Sequence, residues 1–295
     1  MHRTTVQRVS DPLSGAEVID AHHHLVFPDD VAYPDLAVHM PAIHRLVAPS
    51  ELEPLLADAG VDGTICVQAT NDERETVLLL DVARRHPWLR AVVGWIPLHD
   101  PDTVVDALDR VASPALVGVR HLIHREPDPA WLATKPVLAS LQLLAERSMV
   151  YELVALAKGH LDNAIPIIEH VPDLTLVIDH LGGPNVRGER WEPWASLMRA
   201  AAQHPRCVVK LSGLDPIDGS VEPYRRYVEH VVDVFGTQRV MWASNWPATR
   251  LGTGYRETLD DALDLLPEVA PHERAAVLGA NARRVYGLSH TDREG

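Results

Sequence analysis

Val18-Ile19-Asp20-Ala21-His22-His23-His24-Leu25 is a short apolar run that carries histidines at i and i+2. Alternate side chains of a β-strand point to opposite faces, so the spacing predicts Asp20, His22 and His24 on one side and Ala21 and His23 on the other. Two imidazoles then converge on one point, a ligand spacing suited to Zn, Fe, Mn or Ni if further ligands come from elsewhere. Without those ligands the stretch is an ordinary histidine-rich strand end. The run decides the fold because it is the first of eight. Apolar or β-branched runs begin near Val18, Asp62, Ala91, Ala115, Met149, Leu174, Cys207 and Val240, at intervals of 24 to 44 residues. Each interval has room for a strand, a helix and their loops, and most carry helix signals. Ser50 and Glu53 spell a capping box before a run that stops at Gly60, Asn71 precedes an apolar-periodic run to His86, and Asp100-Pro101 pairs an N-cap with a first-turn proline. Further helices are predicted over 136–147, 160–170, 194–203 and 220–235, with a last pair over 255–266 and 272–286. Eight alternating units without a linker predict one α/β domain, a closed (β/α)8 TIM barrel with an extra C-terminal helix. An open doubly wound sheet seats eight near-regular units less well. The barrel is expected over 16–288, between flexible polar tails at 1–15 and 289–295.

The chain of 295 residues can bury a large core, and its 46% hydrophobic and 23% charged residues are ordinary for a globular protein. Against 41 Asp and Glu stand 27 Lys and Arg, a net charge of -14, which disfavours nucleic acid and anionic membrane surfaces as partners. An anionic substrate must then be held by locally placed arginines. The partner expected is a small-molecule substrate, with a homodimer left open. Cys66 and Cys207 lie in strand-like runs and read as small buried hydrophobes, so no disulfide framework is implied. No apolar stretch approaches the roughly 18 residues of a membrane span, and the cytoplasm is the expected compartment.

In a barrel of this kind chemistry sits at the carboxyl ends of the strands. The residues found there are His22 and His24 on strand one, Arg120 and His121 on strand four, and Glu152 on strand five. His180 closes strand six, Lys210 and Ser212 lie on strand seven, and Ser244 and Asn245 end strand eight. Arg120, His121 and Arg125 suit a carboxylate or polyhydroxy substrate, or they are structural salt-bridge partners of Glu126 or Asp128. Lys210 contacts substrate or pairs internally with Glu152 or Asp179. Asp20, on the predicted face of the two histidines, is placed to orient an imidazole, whereas His23 faces the helix layer. Trp191, Trp194 and Trp246 either line the mouth or pack in the interior. His39 and the other loop and helix histidines are given no role. The stretch from Val26 to Pro49 is long for a βα connection and predicts a lid, and Gly182 to Trp191, with Arg187 and Arg190, is a second loop expected to set specificity.

These motifs, taken in order, carry a resemblance. Asp20-Ala-His22-His-His24, Gly118-Val-Arg120-His121, Asp179-His180-Leu-Gly182, Lys210-Leu-Ser212-Gly213 and Ala243-Ser244-Asn245-Trp246-Pro247 resemble the amidohydrolase superfamily, in particular its sugar lactonase and 2-pyrone-4,6-dicarboxylate lactonase branch. The resemblance spans about Val18 to Leu288 and implies a lactone- or ester-opening hydrolase. Strand eight of that family usually ends Ser-Asp-Trp-Pro, with the aspartate as general base, and Asn245 stands at the matching position. An amide has no usable basicity near neutral pH. Binuclear members also use a carboxylated lysine on strand four, and none is present here. The resemblance therefore implies one divalent metal at most, Zn or Mn, or none, held by His22 and His24 with Glu152 and His180 as further ligands. The proton of water would go to Glu152, to His180, or be lost from water made acidic by the metal, and Asn245 would line the same site. Two alternatives stand beside this reading: a metal-dependent decarboxylase or hydratase of the same superfamily, which Asn245 does not favour, and a barrel that binds a small molecule without turnover.

Overall fold

The computed structural model describes residues 15–156, 159–252 and 254–289, so nearly all of both expected tails lies outside the described residues. Strands β1 (Ile19–His23), β2 (Gly63–Val67), β3 (Leu89–Gly94), β4 (Leu116–Arg120), β5 (Val150–Leu153), β6 (Thr175–Ile178), β7 (Cys207–Leu211) and β8 (Val240–Trp242) lie side by side in chain order. All neighbouring pairs are parallel. Each starts within two residues of its expected position. The connecting helices are α1 (Pro34–His39), α2 (Pro49–Ala59), α3 (Glu73–Arg85), α4 (Pro101–Arg110), α5 (Lys135–Glu146), α6 (Ala164–His170), α7 (Trp194–Ala202), α8 (Arg225–Phe235) and α9 (Tyr255–Leu265). The expected extra C-terminal helix is α10 (Pro271–Ala275), a π-turn over Ala276–Ala280, and α11 (Asn281–Val285).

Two buried clusters follow from the strand period of two. Ile19, Ala21, Ile65, Val67, Ala91, Val93, Val150, Val177, Val208 and Met241 face one another inside the barrel. Ala282 and Tyr286 join them, so the C-terminal segment stoppers the end opposite the mouth. The larger cluster, between strands and helices, takes residues of the other parity such as Cys66, Val92, Tyr151 and Trp242.

The seam between β1 and β8 is closed by backbone beyond β8. Asn245 N donates to His22 O at 2.8 Å and His24 N donates to Trp246 O at 2.8 Å. Asp20 latches this seam: its carboxylate accepts from Ser244 N at 2.8 Å, Ser244 Oγ at 2.6 Å and Tyr255 OH at 2.9 Å. The expected shared face of Asp20, His22 and His24 is thereby corrected. The register of β1 on β2 shifts between Asp20 and His23, so Asp20 turns to the helix layer while His22 turns inward. His23 faces the helix layer as expected, its Nε2 at 2.9 Å from Thr64 Oγ1.

Two helix starts also differ. α2 begins at Pro49, and Glu51, not Glu53, returns its carboxylate to the Ala48 backbone N–H at 3.2 Å. Asp72 rather than Asn71 caps α3, because its Oδ1 accepts from Arg74 N at 2.9 Å. The long connection after β1 is folded over itself. Val26 and Val47 pair their backbones at its base, at 2.9 and 3.2 Å, and α1 above them buries no residue.

Candidate active site

The inward parity of the strands explains the site. Where apolar side chains fill the lower barrel layers, the next inward position on each of four strands is ionisable: Gly118 gives way to Arg120, Val150 to Glu152, Val177 to Asp179 and Val208 to Lys210. Lys210 Nζ donates to Glu152 Oε2 at 2.6 Å and lies 3.1 Å from Asp179 Oδ1. Arg120 Nη1 donates to Asp179 Oδ2 at 3.0 Å, and its Nη2 donates to Gln68 O. From the stopper below, Tyr286 OH donates to Glu152 Oε1 at 2.5 Å. His22 is set among them, with Nδ1 at 3.0 Å from Lys210 Nζ and 3.4 Å from Asp179 Oδ1.

A hydrogen-bond chain leads from this layer to the mouth. His24 Nδ1 bonds Val67 O at 2.7 Å, which places its proton there and leaves Nε2 as a lone pair. His22 Nε2 lies 3.2 Å from that lone pair. With Lys210 donating to His22 Nδ1, His22 Nε2–H can donate to His24 Nε2; Arg120 Nη1 also lies 3.3 Å from His22 Nε2. His180 stands beside His22 with ring centroids 4.7 Å apart, and its Nδ1 is 2.8 Å from Ser212 Oγ. Gly213 makes room for it: a Cβ there would fall 2.9 Å from His180 Cβ, and the glycine φ is +69°.

Burial and charge set the protonation. Burial, reinforced by Lys210, holds His22 well below its ordinary value, and burial and Arg120 do the same to His24. Burial lowers His180 to about 4, so all three imidazoles are neutral at pH 7. Burial works against ionised Asp179, but Lys210, His22 and Arg120 outweigh it and hold its pKa well below the usual range. Glu152 is pushed up by burial to about 7 against the pull of Lys210.

Above this layer opens a cavity of about 520 Å³. Its floor is His24, Arg120, His180 and Asn245, and its walls include Val26, Leu36, Ile43, Leu122, Val154 and Leu156. Asn245 sits at φ +55°, a conformation asparagine tolerates, and its Nδ2 donates to Thr249 Oγ1 at 3.2 Å.

The residues fit a divalent metal. His22, Asp179 and His180 offer ligand atoms within 4.8 Å of one another, and the proton between the two facing Nε2 atoms stands where a cation would. With that proton gone, His22 Nδ1–H can turn to Asp179 Oδ1, 3.4 Å away.

A model of the amidohydrolase family matches residues 19–288. The chain belongs to the amidohydrolase family. This amidohydrolase is 32% identical to an L-fucono-1,5-lactonase of Burkholderia ambifaria, over 92% of its own length and 95% of the relative's. An L-fucono-1,5-lactonase of Burkholderia multivorans is 29% identical over 93% and 97% of the two chains. A crystal structure of an amidohydrolase from Burkholderia multivorans with bound zinc superposes with a TM-score of 0.83 at 27% identity, covering 93% of this chain and all of that one.

Of the residues expected at the site, His24, Arg120, His180 and Asn245 of this amidohydrolase line the cavity. His22, Glu152 and Lys210 lie in the layer beneath, fully buried, so Lys210 is an internal ion-pair partner rather than a contact of the cavity. Both oxygens of Glu152 are taken, by Lys210 and Tyr286, and its nearer oxygen is 3.9 Å from the far nitrogen of His22. Asp179, read from sequence only as a partner for Lys210, holds the position expected of Glu152. His121 turns from the cavity: it stacks on Trp131 at 4.2 Å, accepts from Trp95 Nε1 at 2.9 Å and donates to Glu126 at 2.7 Å. Arg125 pairs with Asp35 at 3.1 Å on the rim. Trp191 and Trp194 stack with Tyr227 and His230 among the helices. His39, given no role, lines the cavity from the end of α1. Tyr286, which follows α11, carries no local signal of its role, because its bond to Glu152 spans 134 residues of chain.

Proposed function

We propose that this amidohydrolase opens a lactone by hydrolysis at the floor of the mouth. The observation that carries the reading is a neutral imidazole, His180, whose Nδ1 is engaged by Ser212 at 2.8 Å while the residue lines a cavity it shares with Arg120. The full-length similarity to two lactonases supports it. The lactone carbonyl rests against the cationic Arg120 side chain on the cavity floor. His180 Nε2 takes a proton as water adds to the acyl carbon, then returns it to the ring oxygen as the acyl carbon–oxygen bond breaks. The products are one hydroxyl and one carboxylate, the latter beside Arg120. Asn245 orients through its amide and moves no proton. Where a divalent metal such as zinc is bound, His22, His24, Asp179 and His180 would hold it; His180 Nε2 would then be engaged as a ligand in place of its proton-accepting role, and the metal would supply Lewis acidity to the carbonyl and to water. Lys210 and Asp179 keep His22 oriented in either state.

The test is acid release, followed with a pH indicator against the uncatalysed rate, over a panel of lactones with and without added Zn. Turnover above background is expected. A folded protein that hydrolyses none of them, with or without metal, would defeat the reading.

A further inference from the structure

The walls of the cavity are chemically unlike its floor. Val26, Leu36, Ile43, Leu122, Val154 and Leu156 surround it, and Leu156 is 60% exposed on the loop after β5, so the apolar surface continues to the rim. Several of the polar groups among them are engaged within the protein. Asp35 is taken by Arg125 at 3.1 Å and His124 at 3.3 Å, and Asn245 Nδ2 by Thr249. His24 Nδ1 is fixed on Val67 O, and the two Nη atoms of Arg120 are fixed on Asp179 and Gln68 O. Arg120 Nε is itself buried, so the polar side chains left facing a ligand are chiefly His180, Asn245 and the exposed His39, few enough to be used by one ester group. A ring bearing several hydroxyls would set them against alkyl side chains, where buried polar groups go unpaired.

Resting on the lactone-opening reading above, we infer that the substrate is a lactone whose ring carries a hydrocarbon substituent of several carbons, seated against Leu36, Ile43, Val154 and Leu156 with its outer end at the rim. The polyhydroxylated lactones acted on by the relatives are then poor substrates of this chain. Specificity comes from burial of the substituent, with the ester group held by the floor alone.

The experiment compares kcat/KM for δ-valerolactone, its δ-propyl and δ-pentyl derivatives, and a polyhydroxylated aldonolactone. Expected is a rise of about threefold per added methylene, the size of methylene transfer from water, with the aldonolactone at least about tenfold below the δ-pentyl compound. The variants Leu36→Ser and Leu156→Ser should each reduce kcat/KM for the δ-pentyl compound by roughly threefold to tenfold while leaving δ-valerolactone within about twofold. A flat series, or preference for the aldonolactone, overturns the inference and leaves the lactonase reading standing. Turnover of none of the four defeats both.

Discussion

The seam latch and the charge cluster beneath the mouth are both buried polar networks reached from β1, yet they are wired in opposite ways. Asp20 of the latch is satisfied by hydroxyl and backbone donors alone, and burial raises its pKa despite them. Asp179 of the cluster faces Arg120 and Lys210, whose charges hold it ionised. A carboxylate held by neutral donors fixes backbone and has no proton to exchange with a substrate. A carboxylate set between cations, as Asp179 is, keeps a defined charge beneath a cavity, which is what acid–base work on an ester needs. The difference separates a part that closes the barrel from the part to which we assign the chemistry.

The largest effect that would sharpen this contrast is on turnover. His180→Asn should lower kcat by about 10²- to 10⁴-fold, the usual share of a general base, with Tm nearly unchanged; a variant that keeps its rate would remove His180 from the reaction. Lys210→Met leaves Glu152 buried without its cation and Asp179 with Arg120 alone. Thermal melts should show a loss of about 3–5 kcal/mol, roughly 10 °C in Tm, together with loss of activity.

Glu75 is a fourth buried carboxylate, in neither network. It accepts from the Ala69 backbone N–H at 3.0 and 3.1 Å and from Thr70 N at 3.0 Å, and burial raises its pKa from 4.5 to about 8. The folded state holds its proton to a higher pH than the unfolded state, so its contribution is complete below pH 4.5 and lost as pH rises through about 8. Between those limits Tm should fall by up to a few degrees per pH unit, and melts of Glu75→Gln should show a flatter profile. The smallest effect is expected at the latch. Asp20→Asn should cost about 1–3 kcal/mol of stability with kcat/KM within about threefold, since no Asp20 atom lines the cavity. A kcat loss as large as that of His180→Asn would erase the distinction between latch and site.

Much of the site was legible because its signals are local. His24, Arg120, His180 and Asn245 each end a strand, and a strand end in a barrel of this kind is the mouth whatever lies across it. Glu152 was placed one layer too high and His121 was turned the wrong way for a common reason. Parity within a strand tells which side a residue faces, not which partners meet it there. Trp95 after β3 joins Glu126 and Trp131 of the loop after β4 in claiming His121, and Lys210 and Tyr286 claim Glu152 from 58 and 134 residues away.

By itself the sequence determined the eight-unit beat, the barrel, the family and the strand ends that carry chemistry, because hydrophobic period and short motifs are properties of contiguous residues. Only the tertiary structure decided that Asp20 leaves the face of the histidines, since that depends on how β1 registers against β2 and is latched by Ser244 and Tyr255. It also decided that Asp179 rather than Glu152 meets His22 and His180, and that apolar walls stand over a polar floor. Those relations arise when the barrel closes and brings together side chains that no spacing along the chain can relate.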